Sequence, residues 1–274
     1  MPPPAMSRVR PVLAALSALL VLFPPVGVAQ TLSGWGEDSY GQVSGIPTGT
    51  FVDVAAGQLH GVAVRDDGFL VSWGYDVKGQ VTSTPLTSAF ARAAAGNNHS
   101  MALRVDGSLV SWGDDWAGQV SGTPVGVGFT DLACGGDHSL ALAVDGSIAA
   151  WGLDSYGQVT SAPAGGGYTS ITGGFWHSAA IHPDGSIASW GDDFYKQVTD
   201  TPAGFDFVQV SAGSFGSLAV RTNGTVVSWG ADFSGQVSGT PTGAGFVAVA
   251  AGDRHNMALR DDGVVFVWGD DAYG

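Results

Sequence analysis

The stretch Leu132–Val159, LACGGDHSLALAVDGSIAAWGLDSYGQV, decides the fold, because close copies of it run the length of the chain. Its Trp-Gly pair recurs at Trp35, Trp73, Trp112, Trp151, Trp190, Trp229 and Trp268, spaced by 38 residues once and by 39 five times. A strand-rich period near 40 marks a radial array in which each unit is a small sheet that buries its faces only by stacking on its neighbours. Extending the stretch by three residues before it and two after it gives every strand of one unit. FTDLACG (Phe129–Gly135) reads as a first strand, HSLALAV (His138–Val144) as a second, SIAAWG (Ser147–Gly152) as a third and GQVTS (Gly157–Ser161) as a short fourth.

Asp-Gly separates the second and third strands at Asp67-Gly68, Asp106-Gly107, Asp145-Gly146, Asp184-Gly185 and Asp262-Gly263, with Asn223-Gly224 as the variant. Both dipeptides suit a two-residue type I′ hairpin, which needs positive φ at successive residues. Asn223-Gly224-Thr225 and Asn98-His99-Ser100 also match the glycosylation sequon, but turn and strand chemistry account for them. A buried tryptophan removes about 150–250 Å² from water, an upper bound of roughly 4–6 kcal/mol. The seven tryptophans are therefore expected in the core between sheets.

The run of an aliphatic residue, two small residues, Gly, two variable residues, His and alternating apolar positions resembles the signature of the regulator of chromosome condensation repeat family. VAAGQLHGVAV (Val54–Val64), LACGGDHSLAL (Leu132–Leu142) and WGLDSYGQ (Trp151–Gln158) carry the likeness, which extends over residues 31–274. It implies an all-β, seven-bladed β-propeller of four-stranded antiparallel blades. Its members include a nuclear guanine-nucleotide exchange factor and a secreted bacterial β-lactamase inhibitor, and an exported acidic chain is more similar to the second. Residues 30–274 hold six full 39-residue units and an N-terminal partial one, LSGWG (Leu32–Gly36) with GQVS (Gly41–Ser44). Two arrangements follow: a seventh blade begun by that partial unit, or six blades closed by the N-terminal strand. The first is preferred, since closure removes exposed sheet edges.

Residues 1–29 read as a secretory leader, with Arg8 and Arg10 ahead of VLAALSALLVLF and a small-residue site before Gln30. The apolar run Val12–Phe23 is short for a membrane span of about 20 residues. The expected product is exported, periplasmic or extracellular, monomeric and without a membrane span. Its 43 glycines and 12% charged residues fit many short strands joined by turns, and 45% hydrophobic residues supply a core. One cysteine excludes an internal disulfide framework. A net charge of −14, more negative once two arginines leave with the leader, argues against nucleic-acid binding.

The candidate chemistry is read as structural. Cys134 stands where other units have Ala56, Ala95, Gly173, Ala212 and Ala251, so it acts as a larger alanine. His60, His99, His138, His177 and His255 share one repeat position, with Gly216 as the exception. Equivalent residues on separate blades fan outward rather than converge on a metal, so each is expected to pin its own first hairpin. His182 lies outside the pattern, on the surface. The acids Asp38, Asp76, Asp115, Asp154, Asp193, Asp232 and Asp271 recur in every Trp-Gly loop. A residue present in every unit suits a turn, where carboxylates accept backbone N–H bonds, better than a catalytic pair. No nucleophile elbow, zinc motif, calcium loop or phosphate loop is present, so no enzyme activity, cofactor or metal is expected.

Partner binding is expected in the loops that vary while the frame repeats. Up-down connectivity places the loop between strands one and two on the same face as the Trp-Gly loop. There stand Trp176 and Phe215 as first candidates, Leu59 and Arg254 next, then Phe175, Trp116, Tyr156, Tyr195 and Phe233. These are residue types that dominate interface hot spots. The expected function is a non-catalytic, inhibitor-like protein-binding module. The alternatives are a lectin-like propeller binding glycan, an enzyme at the central opening and, last, a nucleotide exchange factor.

Overall fold

The computed structural model describes residues 31–270; the leader assigned to 1–29, Asp271 and Tyr273 lie outside them. The described chain is all β, with eighteen strands in six antiparallel three-stranded sheets. In chain order these are β1–β3 (Phe51–Ala56, His60–Arg65, Leu70–Gly74), β4–β6 (Phe90–Ala95, His99–Arg104, Leu109–Gly113) and β7–β9 (Phe129–Cys134, His138–Ala143, Ile148–Gly152). There follow β10–β12 (Ser170–Gly173, His177–Ile181, Ile187–Gly191), β13–β15 (Phe207–Ala212, Gly216–Arg221, Val226–Gly230) and β16–β18 (Phe246–Ala251, His255–Arg260, Val265–Gly269). The first strand of each sheet packs against the first strand of the next, from β1 through β16, so the sheets follow one another as blades.

Two expectations are corrected. The blades have three strands, not four, and the described residues form six blades of a propeller-like array rather than seven. The predicted fourth strand at Gly157–Ser161 is a pair of turns, in which Ser161 N–H donates to Gly157 O at 3.1 Å and Ala162 N–H to Val159 O at 3.2 Å. The cause is local capture of its donors. Asp154 Oδ1 accepts from the Val159 and Thr160 amides at 2.8 and 3.0 Å, and Gln158 Oε1 accepts from Tyr156 N–H at 2.8 Å. Amides bound in this way cannot extend a ladder. The N-terminal partial unit behaves alike: Asp38 Oδ1 accepts from Val43 and Ser44, and Leu32–Gly36 forms no strand.

The Asp-Gly turns also differ from a two-residue type I′ hairpin. Arg65 N–H donates to Phe69 O, Gly68 N–H donates to Arg65 O, and only Gly68 of the turn has positive φ, at 78°. This is the three-residue loop that ends in a left-handed glycine. Asp106 at the equivalent turn shows why it is chosen: its Oδ1 accepts from Ser108 N–H at 2.9 Å.

The core lies at the seams between blades. Leu140 and Leu142 of β8 meet Ile171, Ala180 and Trp190 of the next blade, and each successive pair of blades repeats the arrangement. Trp112, Trp151, Trp190 and Trp229 are buried there, as expected, and Trp73 is buried with Phe51, Val54 and Ala63 of its own blade against Leu32 and Ile46. Each donates its indole N–H at 2.9–3.0 Å to the main-chain oxygen of the glutamine that ends the preceding Trp-Gly loop, Gln42, Gln80, Gln119, Gln158 and Gln197 in turn. Trp268 is half-buried and makes the same bond to Gln236, whereas Trp35 is exposed and departs from the expectation.

Candidate functional site

The loops that join first and second strands are fastened side by side by backbone bonds between blades. Phe175 N–H donates to Gly213 O and Ser214 N–H to Gly252 O, so the tips of neighbouring blades form one continuous surface. Histidines lock the same seams from beneath. His60, His99, His138 and His177 are fully buried, and their Nε2 atoms lie 2.8–3.0 Å from the hydroxyls of Ser100, Ser139, Ser178 and Ser217 on the following blade. The expected role within a single hairpin is thus corrected to a bond between blades. Burial lowers all four imidazole pKa values, to about 4 for His60 and His177 and about 3 for His99 and His138. They are neutral frame elements. His182 is partly exposed, 3.5 Å from an Asp184 oxygen.

On this frame six of the nine candidate residues meet in one aromatic cluster, together with Phe194. Tyr156 lies 5.4 Å from Trp176 between ring centroids, and Trp176 lies 4.8 Å from Phe175 and 5.9 Å from Phe215. Phe215 continues to Tyr195 at 5.6 Å, and Tyr195 meets Phe233 at 4.9 Å and Phe194 at 4.8 Å, both edge-on. Phe194 is 80% exposed and Phe233 61%, while Phe175, Trp176, Tyr195 and Phe215 are half-buried beneath them. Edge-to-face stacking fixes these rings before any partner arrives. The loops of the cluster and the adjoining tip of the sixth blade carry an acidic border of Asp154, Asp193, Asp232 and Asp253, against Lys196 and Arg254, while Asp192 is buried and accepts from Gln197.

Three candidates stand apart. Leu59 is half-buried on the first blade, and Arg254 is exposed on the sixth with its Nε 3.9 Å from Asp253. Trp116 is exposed on the second blade beside Asp137, whose carboxyl pKa burial raises while the bond from Trp116 opposes that rise. A further pair, Tyr40 and Tyr75 at 4.8 Å, includes Tyr75, which sequence reasoning passed over although it follows a Trp-Gly pair directly.

The recurrent loop acids do the work of turn-makers. Asp115 Oδ1 accepts from the Val120 and Ser121 amides at 2.9 and 2.8 Å, and these bonds hold its pKa below the ordinary carboxylate value. Cys134 packs on the seam beside Leu132, and burial pushes its thiol pKa up while the Ser139 hydroxyl opposes it. Among the described residues, no three His, Cys, Asp or Glu side chains converge as metal ligands.

At the fifth seam the histidine is missing. Gly216 occupies its place and Asn256 the place of the paired serine, leaving a shallow recess lined by Gly216, Ser217, Ala231, Gln236, Asp253 and Asn256 beside Phe215.

The model of the regulator of chromosome condensation (RCC1) repeat matches residues 91–119, 129–158, 207–236 and 246–274. Four segments of the chain thus match the regulator of chromosome condensation repeat. No curated protein matches it in sequence. Among solved structures, the ectodomain of the Physcomitrella patens receptor kinase CR4 superposes with a TM-score of 0.74 at 22% identity, covering 90% of this chain and 68% of that one. The CRINKLY WD40 ectodomain of the Arabidopsis thaliana receptor kinase ACR4 gives 0.70 at 20% identity, over 88% and 89%. Yeast RCC1 (Prp20), solved bound to Kap60, gives 0.67 at 21% identity, over 79% and 69%. At these identities the likeness is one of fold. The His, Trp and Asp columns recur from blade to blade as frame, whereas the aromatic cluster is confined to loops of the third to fifth blades.

Proposed function

We propose that this chain is an exported, non-catalytic protein-binding module that engages its partner through the aromatic face of the third to fifth blades. The observation that carries the reading is the cluster itself. Seven aromatic side chains from five loops are linked by ring contacts, with Tyr156, Phe194 and Phe233 exposed, and rigid aromatics of this kind supply large contact area at small entropic cost. The acids and histidines that would suggest chemistry are committed to turns and seams. The fold neighbours favour the same class: one is yeast RCC1 held by Kap60, and two are receptor-kinase ectodomains. Export rests on the leader at residues 1–29. An inhibitor-like mode, in which the face covers a working surface of its partner, follows from a module that binds without chemistry of its own.

The test is capture of a partner from the medium or periplasm by the wild-type chain, compared with the double variant Trp176→Ala/Phe215→Ala. A loss of at least about tenfold in affinity with folding retained supports the reading. Equal capture by both proteins, or glycan-array binding in place of protein capture, overturns it.

A further inference from the structure

We propose that the recess at Gly216 is the anchor point of the binding face and takes a lysine ammonium from the protein partner, with an apolar neighbour of that lysine lying over Phe215 and Phe233. This rests on the protein-binding reading above and adds the partner's chemistry to it. Four seams are plugged by a histidine–serine pair, and the fifth is altered on both sides, Gly216 for histidine and Asn256 for serine. Asn256 does not refill the gap. Its Nδ2 turns to Gln236 O at 2.8 Å, and the space left holds a group the size of a water molecule or an ammonium ion.

The lining fits a cation. Asn256 brings a side-chain oxygen, since its Nδ2 is the atom turned to Gln236, and Asp253 brings the one full charge among the lining residues. A compact ammonium with three donors suits so small a site better than a planar guanidinium. Arg254 Nε lies 3.9 Å from Asp253 in an exposed pair, and exposed pairs are weak because solvent screens them, so an incoming lysine displaces it at little cost. Position ties the recess to the aromatic face. Phe215 directly precedes Gly216, its carbonyl accepts from Ala231 N–H at 2.9 Å, and its ring lies 6.4 Å from Phe233. The chain's net charge of −14 and the acidic border complement a basic partner surface.

The probe is a displayed random-peptide library selected on the wild-type chain. The expected binders share a lysine one or two residues from an aromatic or large aliphatic residue, and their affinity falls as salt is added. A synthetic peptide from that selection should bind Gly216→His/Asn256→Ser at least about tenfold more weakly, and replacing its lysine by norleucine should cost as much. The double variant installs a pair that four other seams already hold. A Cβ at Gly216 would lie 2.9 Å from Trp229 O, a main-chain atom that must move to admit it, so the melting of the double variant is measured beside its binding. Asp253→Asn, which leaves the recess open, is the second variant and should weaken binding in the same direction. The proposal is overturned if no peptide is selected, if the selected peptides lack lysine, or if both variants bind them as the wild type does. Loss in Phe215→Ala with full binding in the recess variants would remove the anchor and leave the aromatic face standing; loss in none of these variants would remove both.

Discussion

His138 Nε2 lies 2.8 Å from Ser178 Oγ on the neighbouring blade, in a seam with no solvent access to either side chain. The bond recurs at three other seams, so the array is sensitive to acid at four places together. Each imidazole has its folded-state pKa depressed to about 3 or 4 by burial, against about 6.5 in the unfolded chain. The unfolded state therefore takes up protons first as the pH falls. Stability is complete above about pH 6.5 and is lost between there and pH 3–4, by up to about 1.4 kcal/mol per pH unit for each histidine. Urea midpoints measured from pH 8 to pH 4 should fall steeply below pH 6.5, and an unchanged midpoint at pH 4.5 would contradict the seam. Ser178→Ala should cost about 1–3 kcal/mol by leaving His138 without that partner.

Asp53 works in the opposite direction. It is buried on β1, and burial raises its carboxyl pKa to about 7, opposed by the bond from Ala93 N–H at 2.8 Å and by the Arg92 guanidinium. The folded state holds this proton more tightly than the unfolded one, so Asp53 lowers stability as pH rises from about 4 to 7. Asp53→Asn keeps an acceptor for Ala93 without the charge. Its melting temperature should exceed that of the wild type at pH 8 and match it near pH 4.

The frame was legible wherever its interactions are local or repeat in step. Asp154 bonds amides five and six residues ahead of it, so a column of acids at one loop position reads as a turn. The histidine column announced a structural role, but its partner lies 40 residues ahead on another blade, which a reading of one unit cannot reach. Gly157–Ser161 reads as a strand by composition, but Asp154 takes the Val159 and Thr160 donors. Loop position placed Trp176, Phe215 and Tyr195 on one face, and their ring contacts became visible only in the structure. Position alone could not separate them from Leu59 and Trp116, since the distance between blades, not residue type, decides which tips touch.

Lys196 stands in the aromatic face at φ +64°, in the left-handed region that the equivalent loops give to Gly41, Gly79, Gly118, Gly157 and Gly235. A side chain there costs about 1–2 kcal/mol, and glycine returns part of that gain through the entropy of the unfolded chain. Lys196→Gly should therefore stabilise the protein by about 0.5–1 kcal/mol in urea unfolding. A destabilised variant would mean that the lysine side chain holds the loop in some other way.

Trp190 and Trp35 test whether the tryptophan column acts through burial and one hydrogen bond. Trp190 is buried, and its indole N–H reaches Gln158 O at 2.9 Å, whereas Trp35 is 38% exposed. Trp190→Phe keeps most of the apolar surface but leaves the Gln158 carbonyl without its donor, a loss of about 1–3 kcal/mol. Trp190→Ala adds a cavity at the seam and should cost about 3–5 kcal/mol. Trp35→Phe should change stability by less than about 0.5 kcal/mol, as surface substitutions do. Chemical denaturation of the three variants orders them, and equal losses at both tryptophans would show that the column does not act through the seam.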